Sequence, residues 1–317
     1  MSTALVPIYP PPAGTPRRKP TLDEYLRFHY LASRDLSPKT AAYLRVSVRR
    51  IEGWFGRPIL IDELNDALLN AWIASMQQEG LNCRSVKGQR GNILALWRDA
   101  FFQGFIDTEP VRVKQVKITR QLPEAWTIQQ VQKLLETARS MGGTFRSFNL
   151  WDDAPSFTRG EFFTAVILVG WDTALRLSDL LTVKRANLGA DGTLPVVQNK
   201  TNDVVYCRLR PETLAACKVL WDRAPNDDRL LPFPCQPRQF MLYFKRLVKK
   251  AGIPSGGIKR IRKSAATALE QVTRGAATEF LGHRSPGMAQ AHYIDPRLVK
   301  RDRPMPPSLV DGKDGAA

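Results

Sequence analysis

The spacing of apolar residues divides this chain into an all-helical first part and a mixed second part. In "TLDEYLRFHYLASR", Leu22, Tyr25, Leu26 and Tyr30 recur at three- and four-residue steps, which predicts a helix. "SPKTAAYLRVSVRRIEGWF" predicts another, opened by Ser37 as cap and by Pro38 in the first turn. A third is expected in "DELNDALLNAWIASMQQEG", ending at Gly80, and a fourth in "RSVKGQRGNILALWRDAFFQG", ending at Gly104. Four helices with short turns over 21–109 predict a compact bundle. The helical period then lapses in a Val-rich, basic stretch bounded by Pro110 and Pro123. Residues 110–125 read as a linker, either laid along a phosphate backbone or simply solvated.

A second domain is expected over 126–296. It opens with a helix capped by Thr127 in "TIQQVQKLLETARS". A loop with Gly142, Gly143 and "WDDAPS" then leads to a buried helix over 161–171. "GTLPVVQNKTNDVVYCRL" alternates on both sides of Lys-Thr-Asn-Asp and predicts a β-hairpin over 192–209. Helices return to about residue 294, and the tail 297–317 reads as irregular. Residues 1–20 read as a flexible, proline-rich arm with a basic end. They have no apolar signal region, and they are too short for a domain of their own. The expected fold class is mainly α with a small β-sheet: a helical domain, then an α+β domain.

Composition narrows the partners. The 317 residues carry 47 Lys plus Arg against 30 Asp plus Glu, a formal charge of +17, and 43% are hydrophobic. The chain can bury a core, and its charge favours a polyanion such as DNA. The longest apolar run, "FFTAVILVGW", is half a membrane span, so no membrane partner is expected. Cys83, Cys207, Cys217 and Cys235 are widely spaced, which argues against a disulfide scaffold or zinc site and fits a reducing cytoplasm.

Four stretches carry candidate chemistry. Arg176 in "DTALRLSDLLTV" sits among apolar neighbours and needs an anion. Asp179, three residues on, is placed to pair with it on a helix. Lys200 lies at the hairpin tip, where a lysine is otherwise just solvated. "KRLVKKAGIPSGGIKRIRKSAATALEQ" holds eight basic residues and no acid before Glu270. In helical phase Lys259, Arg262 and Ala266 share a face whose N-terminal end suits a phosphate, or a generic nucleic acid surface. In "LGHRSPGMAQAHYID", His283 follows a turn, Ser285 caps a short helix begun by Pro286, and Tyr293 ends it. Tyr293 alone reads equally as a half-buried core residue. Asp152, Asp153 and Glu161 suggest a metal site less readily than a solvated loop, and no metal or cofactor is expected.

Taken in order, "TALRLSDLL", "NKTNDVV", "KRIRKSAAT", "LGHRS" and "AHYID" resemble the tyrosine recombinase (phage integrase) family. The resemblance spans about 21–296 and implies a helical core-binding domain followed by an α+β catalytic domain. It implies DNA cutting and rejoining through a 3′-phosphotyrosyl link. In that scheme Tyr293 is the nucleophile, Arg176, Arg262 and His283 are phosphate ligands, and Lys200 is the proton donor. Lys259 departs from the pattern by standing where the family has histidine. It can clamp a phosphate oxygen but, when protonated, cannot accept a proton; base work would need neighbouring cations and burial to depress its pKa. The family also implies double-stranded DNA as partner, a homotetramer on two DNA sites and a C-terminal segment passed between protomers. Leu298 and Val299, or Leu309 and Val310, are candidates for that segment. Arg84, Lys87 and Arg90, with Thr40 and Arg45, are candidate DNA contacts in the first domain. The rivals are a type IB topoisomerase-like enzyme, a catalytically impaired DNA-binding regulator and, more distantly, a metal-dependent nuclease or transposase.

Overall fold

The computed structural model describes residues 19–119, 121–145, 156–282 and 285–299, and the chain divides into two compact units at 120/121. In the first unit, α1 (Leu22–Tyr25) starts on a capping box in which Thr21 and Glu24 satisfy each other's backbone N–H groups. The helix then widens into a π-helical turn over Leu26–Tyr30 and stops short of the expected end. Ser37 caps α2 (Pro38–Phe55) by accepting from the Thr40 N–H, with Pro38 at its start. The helix expected from residue 62 begins later. A 3₁₀ turn occupies Ile61–Glu63, and Asn65 caps α3 (Asp66–Gln78), because its amide oxygen captures the Leu68 N–H. The fourth helix, α4 (Cys83–Phe102), is capped by Asn82.

These helices bury Leu22, Tyr25, Leu44, Val48, Ile51, Trp72, Ile73, Ile93 and Trp97 in one cluster. The start of the expected linker is not a free tether. The Arg112 N–H donates to Asp66, the Lys114 N–H donates to Asn70, and Val116 is buried. Backbone groups of an irregular segment must find partners, and here the side chains of α3 supply them.

In the second unit, Thr127 and Gln130 form a capping box on α5 (Ile128–Arg139), and Thr158 and Glu161 form one on α6 (Arg159–Thr173). Helix α6 is apolar nearly all round and is the central element. It packs against α5, α8 (Pro211–Arg223) and α10 (Lys259–Val272). Phe162, Phe163, Val166, Ile167 and Val169 are all buried on it. Each such side chain contributes roughly 1.5–3 kcal/mol on burial. Phe240, Phe244 and Leu247 of α9 (Pro237–Lys250) join the same core.

The sheet is one antiparallel hairpin, β1 (Thr193–Val197) and β2 (Val204–Arg208), with Val196 opposite Val205. Short helices α7 (Leu177–Leu180), α11 (Ala276–Phe280) and α12 (Pro286–His292) complete the unit. The architecture is thus mainly helical with one small sheet. Among the described residues no helix is long and apolar enough to cross a membrane. Val299 is buried in its own chain beside Ala266, Ala289 and Ile294. Leu309 and Val310 lie outside the described residues.

Candidate active site

Helix α6 ends on Ala174, whose backbone is left-handed at φ 47° and ψ 25°. That conformation costs a non-glycine residue roughly 1–2 kcal/mol. It turns the chain so that Arg176 stands in extended backbone just ahead of α7. The expected Arg176–Asp179 pair does not form, because Arg176 is outside the helix and helical spacing does not apply. Instead the Arg176 Nη1 donates to Gln198 Oε1 at 2.5 Å. Asp179, buried, accepts from the backbone N–H and the side-chain amide of Asn199 at 3.1 and 2.9 Å.

Gln198 and Asn199 are the first residues of the hairpin turn, and Lys200 follows them, exposed. The turn is closed by the Gln198 N–H donating to the Asp203 carbonyl and by Asn202 in left-handed backbone. Asn tolerates that region better than most residues. Among the described residues, Lys200 makes no contact that ties it to the other candidates.

Helix α10 presents Lys259 exposed at its start and Arg262, one turn on, buried at 3% exposure. Arg262 donates to the Ala174 carbonyl and, at 3.0 Å, to the Leu281 carbonyl. Burial pushes its pKa down to about 10, so the guanidinium stays charged at neutral pH. Tyr293 closes α12 with 8% of its surface exposed. The Arg262 guanidinium carbon lies 4.8 Å from the Tyr293 ring centroid, and the Lys259 Nζ lies 5.7 Å from it. Burial raises the phenol's pKa, but Arg262, Arg176 and Lys259 together outweigh it and hold the group below its ordinary value.

The backbone around Tyr293 is tied down. The Thr267 hydroxyl lies 3.4 Å from the Tyr293 carbonyl and accepts from the Asp295 N–H at 3.0 Å. The Asp295 carboxylate in turn accepts from the Ala125 N–H at 3.0 Å and from Arg297 at 2.7 Å. Ser285 occupies the cap position of α12 but makes no side-chain capping bond. His283, Asp152 and Asp153 lie outside the described residues. The turn before His283 is described: Leu281 is buried, and Gly282 has φ +62°.

The first-unit candidates differ among themselves. Arg84 and Lys87 are exposed on α4, and Thr40 and Arg45 are exposed on α2. Arg90 is half-buried, and its guanidinium donates to the Lys114 and Val113 carbonyls at 2.8 and 3.2 Å. Burial pushes its pKa down.

Two residues at the site escaped the sequence argument. Gln198 continues the inward alternation of Leu194 and Val196. A polar residue at an inward strand position was the available signal. Lys263 was counted only as one basic residue of many. It lies beside Lys259 and Arg260 in a cleft with Glu124 and Arg297. Burial and those two cations lower its pKa. Among the described residues no group of three His, Cys, Asp or Glu side chains is gathered for a metal ion.

A helical unit followed by an α+β unit, with a tyrosine held against buried and partly buried cations, defines the class. The family model described as "Phage integrase family" matches residues 126–298, and the chain belongs to that family of tyrosine recombinases. Tyrosine recombinase XerA of Thermococcus kodakarensis (strain ATCC BAA-918 / JCM 12380 / KOD1) is 26% identical over 276 residues, 83% of this chain and 87% of that protein. Among solved structures, a lambda integrase dimer bound to a COC′ core site superposes with a TM-score of 0.69 at 22% identity, over 90% of this chain and 79% of that one. The Tn1549 transposon integrase with circular intermediate DNA gives a TM-score of 0.67 at 15% identity, over 86% and 95%. XerH bound to palindromic difH gives 0.61 at 16%, over 80% and 75%. At these identities the likeness to solved structures establishes the fold.

Proposed function

We propose that this chain is a site-specific DNA recombinase that cuts and rejoins duplex DNA through a 3′-phosphotyrosyl intermediate. The observation that carries this reading is the Tyr293 ring lying against two cations, 4.8 Å from the Arg262 guanidinium carbon and 5.7 Å from the Lys259 Nζ, with its ionisation favoured by Arg262, Arg176 and Lys259 against the penalty of burial. A phosphodiester is anionic and repels nucleophiles, and attack adds charge to its non-bridging oxygens. Fixed guanidinium groups stabilise that charge, and a low-dielectric site makes them more effective.

In this scheme the Tyr293 Oη attacks phosphorus, a phosphorus–Oη bond forms, and the bond from phosphorus to the 5′-oxygen breaks. The phenolic proton is released. Lys200 on its exposed turn supplies a proton to the departing 5′-oxygen. Arg176 and Arg262 hold the phosphate oxygens, His283 donates a further hydrogen bond, and Lys259 clamps as a cation. The phosphotyrosyl bond conserves the energy of the one it replaces, so a second 5′-hydroxyl can reseal it without a nucleotide cofactor.

Arg84, Lys87, Thr40 and Arg45 are exposed and suited to the DNA backbone or a groove. Exchange between two duplexes requires four active sites, hence a homotetramer on two DNA sites. The test is to trap and sequence DNA bound covalently to the purified protein. An EDTA-insensitive adduct, lost in Tyr293→Phe and enriched for one sequence, is the expected result. A metal-dependent cut with no adduct would overturn the reading.

A further inference from the structure

Arg176 and Gln198 meet at the root of the hairpin that bears Lys200. The Gln198 side chain is 1% exposed and uses both ends of its amide. Its Oε1 accepts from Arg176 at 2.5 Å and from the Thr201 hydroxyl at 3.3 Å. Its Nε2 lies 3.5 Å from the Leu281 carbonyl, the same oxygen that accepts from Arg262. The turn fits closely here, because a Cβ on Gly282 would fall 3.0 Å from that Nε2 and 2.3 Å from Val205. One amide therefore touches Arg176, the hairpin turn and the turn that precedes His283.

We propose that Gln198 is a positioning residue whose uncharged amide locks Arg176, the Lys200 hairpin and the Leu281–Gly282 turn into one register while leaving the charge of Arg176 free for phosphate. The proposal rests on the reading of Arg176, Lys200 and Tyr293 given above. The chemistry selects an amide. A carboxylate would accept from Arg176 equally well, but it would neutralise the guanidinium and could not donate to Leu281. An apolar side chain would take the Oε1 acceptor from the partly buried Arg176 guanidinium and leave the Leu281 carbonyl with Arg262 as its side-chain donor. Asp179, the carboxylate three residues on, instead accepts from Asn199 through Oδ1. The fold thus keeps the acid off the arginine and puts a neutral acceptor on it.

The test compares full-length wild type with Gln198→Glu and Gln198→Met. Covalent adduct formation is followed against pH on a pool of nicked duplexes of randomised sequence. The Glu variant should form adduct about tenfold more slowly at neutral pH. Its rising limb should move to higher pH by about one unit, because a neutralised Arg176 no longer favours the Tyr293 phenolate. The Met variant should be slower without moving that limb. Profiles for the Glu variant that match wild type, or that fall equally at every pH as in the Met variant, overturn the proposal.

If wild type forms no adduct that Tyr293→Phe abolishes, the recombinase reading fails and the positioning role fails with it. A wild-type adduct with an unmoved Glu profile sinks the positioning role alone. Should the Glu variant not fold, amide exchange decides. The Met variant must exchange faster than wild type in peptides covering both 176–182 and 276–282, and unchanged exchange in either overturns the proposal.

Discussion

The guanidinium of Arg262 and the ring of Tyr293 lie against each other, 4.8 Å from carbon to centroid. Neither group has its ordinary pKa. Burial lowers the pKa of Arg262 to about 10, while the cations around Tyr293 lower the phenol's despite its own burial. At a pKa of about 10 the arginine still remains charged at neutral pH, while the tyrosine is readier to lose its proton.

Ultraviolet difference titration of wild type against Tyr293→Phe isolates this one phenol. It should ionise below the ordinary tyrosine value of about 10. The sign for stability follows from linkage. A folded-state pKa below the unfolded one stabilises the fold fully above the unfolded value, and that stabilisation disappears as pH falls through the folded value. Wild type should therefore gain stability relative to Tyr293→Phe as pH rises toward 10. An unshifted phenol would remove the electrostatic argument for Tyr293 as nucleophile.

Asp295 supports Tyr293 from two residues away. Its carboxylate is 1% exposed and accepts from Ala125 and Arg297. Burial pushes its pKa up, but those hydrogen bonds and the Arg297 charge outweigh burial and leave it lowered. Arg297 is largely exposed, so solvent screens much of its contribution. Asp295→Asn should cost about 1–3 kcal/mol in urea unfolding at neutral pH, chiefly through the Ala125 bond. The deficit should shrink below about pH 4, since a depressed carboxylate loses its stabilising effect as pH falls through its folded value.

The overall plan was legible because it depends on local chemistry. Ser37 before Pro38, Thr127 before an amphipathic run, and alternation on both sides of a Lys-Thr-Asn-Asp turn each specify an element within a few residues. Site partners were less legible, because they depend on where an element starts. Asp179 was expected to hold Arg176 on a helix. The helix instead begins one residue after Arg176, and the hairpin turn, 22 residues on, supplies Gln198. The late start of α3 has a similar origin. Asn65 captured a backbone N–H that helical periodicity alone assigns to the helix interior.

Gly282 should not tolerate a side chain. Its φ of +62° strains any L-residue, and an added Cβ would meet Val205 at 2.3 Å. Gly282→Ala is expected to push the hairpin from the Leu281 turn. Adduct formation should fall by at least about tenfold with a modest loss in thermal stability, of order 1–2 kcal/mol from the backbone conformation. Normal activity in this variant would mean that hairpin and turn need not be in close register.

The basic residues of α4 should separate into two kinds. Arg84 and Lys87 are exposed, whereas Arg90 is half-buried and donates to the Lys114 and Val113 carbonyls. If Arg84 and Lys87 contact phosphates, replacing either with Ala should leave urea unfolding unchanged. It should weaken duplex binding at low salt and lower the slope of log affinity against log salt by about one per lost contact. Arg90→Ala should behave differently, because its loss leaves two carbonyls of the 110–116 segment without their donor. We expect about 1–3 kcal/mol of destabilisation and faster amide exchange over that segment. Any loss of DNA affinity in this variant should leave the salt slope nearly intact. A salt slope that drops by one in Arg90→Ala with stability unchanged would mean that its guanidinium leaves the carbonyls for a phosphate when DNA binds.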